Sequence, residues 1–163
     1  KMRINKEVEL NSIMSDILKN KEFIDLKYEI HHGISRLDHS LNVARLTYKM
    51  CKRLHVKNYK EITRAALLHD FFRTEDVPDK CFLNHPLKAV ENSKKNFDIS
   101  RIQENIIAAH MFPVTKTIPL HVGSWIVSGA DKAVAVYECT KYKVPLAIGA
   151  AFLFFMNVCF IQR

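Results

Sequence analysis

The sequence predicts an all-α, single-domain bundle of about seven or eight helices, and three observations carry that prediction. Four Gly and five Pro in 163 residues are too few turn-formers for a sandwich or barrel of many short strands. Apolar residues recur at three- and four-residue spacings along most of the chain, with almost no strict alternation. The composition, 48% hydrophobic and 26% charged, is that of a globular chain with room for one core. No Gly-rich phosphate loop or dinucleotide-binding turn occurs, which excludes the common nucleotide-binding α/β folds.

The elements follow in order. Ile4 to Leu18 places Ile4, Val8, Leu10, Ile13, Met14, Ile17 and Leu18 at mixed three- and four-residue spacings and predicts an amphipathic helix. A short segment, Lys21 to Tyr28, precedes His31-His32-Gly33, where Gly33 marks a turn. Ser35 to Leu54 carries a strong helical pattern through Val43, Thr47, Met50 and Leu54. Ser35 followed by Asp38 resembles a capping box with Asp in place of Glu or Gln. Tyr59 to Phe72 predicts the next helix, with His69-Asp70 near its end, and Arg73 to Pro86 reads as irregular and charged. Pro86 suits the first turn of a helix over Leu87 to Phe97. Asp98 or Ser100 can cap another through Ile102, Ile106 and Ala109, ending around His110. Two last helices are predicted, Leu120 to Thr140 and Val144 to Phe160. Val144 to Ile161 is uncharged, a length at which a membrane span becomes thinkable. Gly149 and Asn157 weaken that reading and favour a core helix or a face shared with a second subunit, leaving a homodimer open.

The net charge is +8, which favours anionic partners in general. The basic residues are scattered, so a solvated cationic surface is a better reading than specific nucleic-acid binding. Cys51, Cys81, Cys139 and Cys159 form no C-x-x-C pair, and the first ten residues contain no apolar run. Reduced cysteines and a cytoplasmic location are the expectation.

Chemistry concentrates at the histidines and at two aspartates. His69-Asp70 follows the apolar run Ala65-Ala66-Leu67-Leu68, which sets a carboxylate at the negative end of a helix and partly out of water. A bound cation would relieve both problems. Asp131 sits among Ile126, Val127, Ala130 and Val134, where neither helix propensity nor solvation explains it. His39 begins one helix, His85 stands at the edge of another, and His110 ends a third. Helical bundles build metal sites from such inward-facing side chains on separate helices.

The order His39, His69-Asp70, Asp131 resembles the HD superfamily of metal-dependent phosphohydrolases. Ser35-Arg36-Leu37-Asp38-His39-Ser40-Leu41-Asn42-Val43-Ala44 is similar to its first motif, Ala65 to Asp70 to its second, and Ala130-Asp131-Lys132 to its last. The resemblance covers about Tyr28 to Glu138. It implies an N-terminal helical segment over 1–27, an HD domain over 28–140 and a C-terminal apolar helix over 141–163 packing on that domain.

The resemblance also implies that His39, His69, Asp70 and Asp131 hold one divalent ion. His85 and His110 stand where some branches bind a second, with Asp70 bridging the two. An imidazole and carboxylate set suits Mn, Fe, Mg, Co, Ni or Zn. Metal-activated water would then hydrolyse a phosphate ester of a nucleotide or another small phosphorylated metabolite, with His69 and Asp70 at the catalytic centre. Arg36, Lys132, Lys88 and Arg73 are candidates to bind the substrate's phosphate, and His31 and His32 could line the cleft. Two alternatives share the same residues: a di-iron oxygenase, and a regulatory module without turnover.

Overall fold

A computed structural model describes residues 2–31, 33–77 and 82–161; the side chains at 2–5, 31, 82 and 142–161 lie outside the description. Seven α-helices are found among the described residues: α1 (Met2–Met14), α2 (Lys21–Ile24), α3 (Arg36–Arg53), α4 (Tyr59–Leu68), α5 (His85–Asn96), α6 (Arg101–Ala109) and α7 (Val122–Ile161). The all-α prediction holds.

Local chemistry sets the helix boundaries. Ser35 caps α3 by accepting from the Asp38 amide at 3.1 Å, and its hydroxyl donates to Asp38 Oδ2 at 2.6 Å. Of the two residues offered as the cap of α6, Ser100 performs it, with Gln103 completing the reciprocal box. Pro86 stands in the first turn of α5, as predicted.

Several predicted elements differ in extent, α4 ending at Leu68 rather than Phe72 among them, while the turn expected at Gly33 is present. The first helix stops at Met14 rather than Leu18, because the Ser15 hydroxyl folds back onto the Ser12 carbonyl and Asp16 is drawn to Arg64. The chain around Gly33 forms a two-stranded antiparallel hairpin, β1 (Ile30–His31) and β2 (Ile34–Ser35). Gly33 has a φ of 89°, which favours glycine at this turn. The two predicted C-terminal helices are one. Nothing between Thr140 and Lys143 stops a helix, and α7 runs through Pro145 to Ile161.

α3 packs on α4 and α7, and α6 packs on α4, α5 and α7. Val43, Ala44, Ile62, Leu67, Leu68, Ile106, Ile107, Val127 and Ala130 fill the core between them. Gly123 lets α7 approach closely, since a Cβ there would lie 2.8 Å from Ile62 Cγ1 and 3.0 Å from Ile106 Cδ1. α1 is tied on by Glu9, which accepts from the Tyr48 and Tyr59 hydroxyls at 2.5 Å each. Among the described residues no helix is long and apolar enough to cross a membrane. The expectations for the packing of 144–161, and for Cys81, Cys159, His31 and His32, concern side chains outside the description.

Candidate metal centre

Four helices begin or end at one place, and a fifth passes it. His39 lies in the first turn of α3, His69 directly follows α4 and precedes Asp70, His85 opens α5, His110 directly follows α6, and Asp131 lies within α7. The packing of these helices brings all six side chains together.

His39 Nε2 lies 3.1 Å from Asp131 Oδ1, and His69 Nε2 lies 3.6 Å from the same oxygen. Asp70 faces both sides of the centre. Its Oδ2 is 3.8 Å from His69 Nε2, while its Oδ1 is 3.2 Å from His85 Nε2 and 3.6 Å from His110 Nε2. His85 Nε2 and His110 Nε2 are 2.9 Å apart. Ligand atoms about 2.1 Å from a shared ion are themselves roughly 3–3.5 Å apart. Two groups approach that spacing, His39 with His69 and Asp131, and His69 with Asp70 and His110, the ligand atoms of each lying within 4.8 Å of one another.

The outer faces of the rings fix which nitrogen points inward. His69 Nδ1 donates to the Ala66 carbonyl at 2.8 Å, and His110 Nδ1 to the Ile107 carbonyl at 2.7 Å. A carbonyl can only accept, so in the neutral ring Nε2 carries the lone pair. His69 Nε2 and Asp70 Oδ1 are buried without a hydrogen-bond partner among the described residues. In the neutral ring these are two buried lone pairs facing one region, costly unless a cation, a proton or a metal ion, meets them. This donor set is compatible with a divalent metal.

The charges are strongly coupled. Burial disfavours a charge on His39, but the carboxylates of Asp131, Glu138 and Asp70 outweigh it and push the ring up to about 10. His69 is raised in the same way, its burial overcome by Asp70 and Asp131. His110 goes the other way: burial and the neighbouring His69 charge bring it down to about 4. Burial opposes ionisation of Asp70 and Asp131, yet the surrounding imidazoles hold both carboxyls well below the usual carboxylate range.

The centre opens into a cavity of about 450 Å³, walled also by Ile34, Arg36, Met111, Ala135 and Glu138. Arg36 alone of the four predicted phosphate-binding cations lines it. Its guanidinium lies 3.7 Å from the centroid of the Phe72 ring and 3.8 Å from Asp70 Oδ2, and its Nε has no hydrogen-bond partner among the described residues. The other three are directed elsewhere. Lys132 Nζ donates to the His110 carbonyl, the Ser128 carbonyl and the Ser128 hydroxyl, which ties α7 to the end of α6. Lys88 pairs with Glu91, and Arg73 with Asp25 and Glu75.

Sequence reasoning missed Glu138. It accepts from His39 Nδ1 at 2.7 Å and from Asn42 Nδ2 at 2.9 Å. Its signal was present: a carboxylate two turns after Asp131 on the face that buries Val134.

No curated protein and no solved structure matches the chain. The family model described as the HD domain matches residues 36–135, a span that holds all six converging side chains and Arg36 beside them. The chain belongs to the HD domain family.

Proposed function

We propose that the protein is a metal-dependent phosphohydrolase that cleaves a phosphate ester of a nucleotide or another small phosphorylated metabolite. The observation that carries the reading is the convergence of His39, His69, Asp70, His85, His110 and Asp131 on one buried point, where His69 Nε2 and Asp70 Oδ1 make no hydrogen bond of regular geometry among the described residues. His39, His69, Asp70 and Asp131 would hold one ion. His85 and His110, on the far oxygen of Asp70, would hold a second. A divalent cation bound there lowers the pKa of water towards neutrality and offsets charge on the phosphoryl group.

The chain's own residues supply the rest. His69 and His110 keep their Nδ1 protons on backbone carbonyls, which orients the rings without help from solvent. Arg36, stacked on Phe72, offers its guanidinium edge to the non-reacting oxygens of a phosphate. Ile34, Met111 and Ala135 supply apolar walls to the cavity. Its volume suits a ligand of nucleotide size.

The test is a screen of nucleotides and generic phosphate esters against the protein loaded with Mn, Co, Ni or Mg, with bound metal measured in parallel. Asp70→Ala is expected to lose both bound metal and phosphate release. Release that survives this substitution would sink the reading. Oxygen uptake by the iron-loaded protein without phosphate release would select the oxygenase instead.

A further inference from the structure

We propose that Glu138 is a positioning residue for the metal centre, acting through His39; the inference rests on the metal-centre reading above. His69 and His110 directly follow their helices, where the carbonyl three residues back has no partner within the helix. Each ring therefore finds an acceptor on its own helix, Ala66 or Ile107. His39 stands at the opposite end of its helix, in the first turn of α3, where the nearby carbonyls are engaged by amides further along. Its Nδ1 needs an acceptor from another element.

Glu138 on α7 is that acceptor. Its Oε2 takes the His39 Nδ1 proton at 2.7 Å, which leaves Nε2, 3.1 Å from Asp131 Oδ1, to face the centre. The second oxygen, Oε1, is held by Asn42 Nδ2 at 2.9 Å, one turn beyond His39 on α3. Both carboxylate oxygens are thus engaged, and the residue is 3% exposed. A carboxylate in this position does more than a backbone carbonyl, because it makes the ring a stronger donor to a cation. The spacing links the two roles: Asp131 and Glu138 lie two turns apart on α7, so one helix face supplies both a ligand and the group that orients its neighbour.

The experiment is a calorimetric titration of Mn²⁺ into the metal-free full chain, with thermal melts of each metal-free variant. Glu138→Gln is expected to weaken Mn²⁺ binding about 10–100-fold while the metal-free melting temperature moves little. The sharper readout is a double-mutant cycle. Because Glu138 acts through His39, Glu138→Gln should have almost no further effect on the residual affinity of His39→Ala. Should Glu138→Gln fail to fold, Asn42→Ala, which frees the second oxygen, is expected to give a smaller loss that also vanishes in the His39→Ala background. Unchanged affinity, or an equal loss with and without His39, overturns the positioning role while leaving the metal centre standing. A wild-type chain that binds none of Mn, Co, Ni or Zn overturns both.

Discussion

Arg36 is 4% exposed, with a long approach to Asp70 and a ring face against its lost hydration. Burial lowers its pKa, and the carboxylates of Asp70 and Glu29 oppose that shift. A buried guanidinium with an unpartnered Nε beside a cation centre is poorly explained by stability alone. Arg36→Gln is therefore expected to lower kcat/KM for the phosphate substrate about 10- to 100-fold, from a charged hydrogen bond of about 1.5–3 kcal/mol. Bound metal should remain, and metal loss in this variant would place Arg36 in the centre's architecture instead. The contrast with Lys132 shows where reading residues from the sequence stops. Adjacency to Asp131 made Lys132 look like a phosphate ligand. On a helix, however, neighbours in sequence point about 100° apart, and its ammonium is spent on His110 and Ser128 carbonyls. Arg36, three residues before His39, shares its face; Glu138, two turns from Asp131, was legible by the same rule and went unread.

At the scale of elements, two contacts decide how the helices are held. Gly123 brings α7 against α4 and α6, and Gly123→Ala would drive a methyl group into Ile62 and Ile106. An expected destabilisation of about 1–3 kcal/mol, measured by urea unfolding, would confirm the close approach. An unchanged midpoint would refute it. Glu9 is the second contact. Hydrogen bonds from Tyr48 and then Tyr59 hold its carboxyl at about 2, against burial that would raise it, with Lys52 helping. Its folded pKa is depressed below the unfolded 4.5, so the stabilisation is complete above pH 4.5 and is lost as pH falls towards 2. Glu9→Gln should flatten the fall in melting temperature across that window. A curve parallel to wild type would count against the contact. The longer helices were legible, because periodicity and the Ser35 and Ser100 caps are local signals, whereas the four-residue α2 reads in the sequence only as a short segment. The hairpin at Gly33 was not, since four strand residues carry no period. Neither was the union of the last two helices, because the uncharged stretch from Val144 reads as a helix of its own, while the backbone stays helical through Lys141-Tyr142-Lys143.

The whole molecule is organised around one centre fed by five helices. If the centre binds a cation, ligand binding and global stability must be linked. Mn²⁺ at a hundredfold excess over its dissociation constant should add about 2.7 kcal/mol, a rise in melting temperature of roughly 5–10 °C for a chain of this size. Asp131→Ala should abolish the rise, and a persistent rise would locate the ion elsewhere. The overall architecture was readable from composition and spacing. The convergence was readable only through the ordered His and Asp motifs, because no local pattern states which helix ends will meet.

That convergence has a consequence for the order of events. α4 and α6 end at His69 and His110, so both direct the negative poles of their dipoles at a place already holding Asp70 and Asp131. Without a metal, those four negative sources are met by the raised His39 and His69 rings and by Arg36. An entering cation must first displace ring protons, so Mn²⁺ binding is expected to release protons, measurable as a calorimetric heat that changes with the buffer's ionisation enthalpy; a heat independent of buffer would count against it.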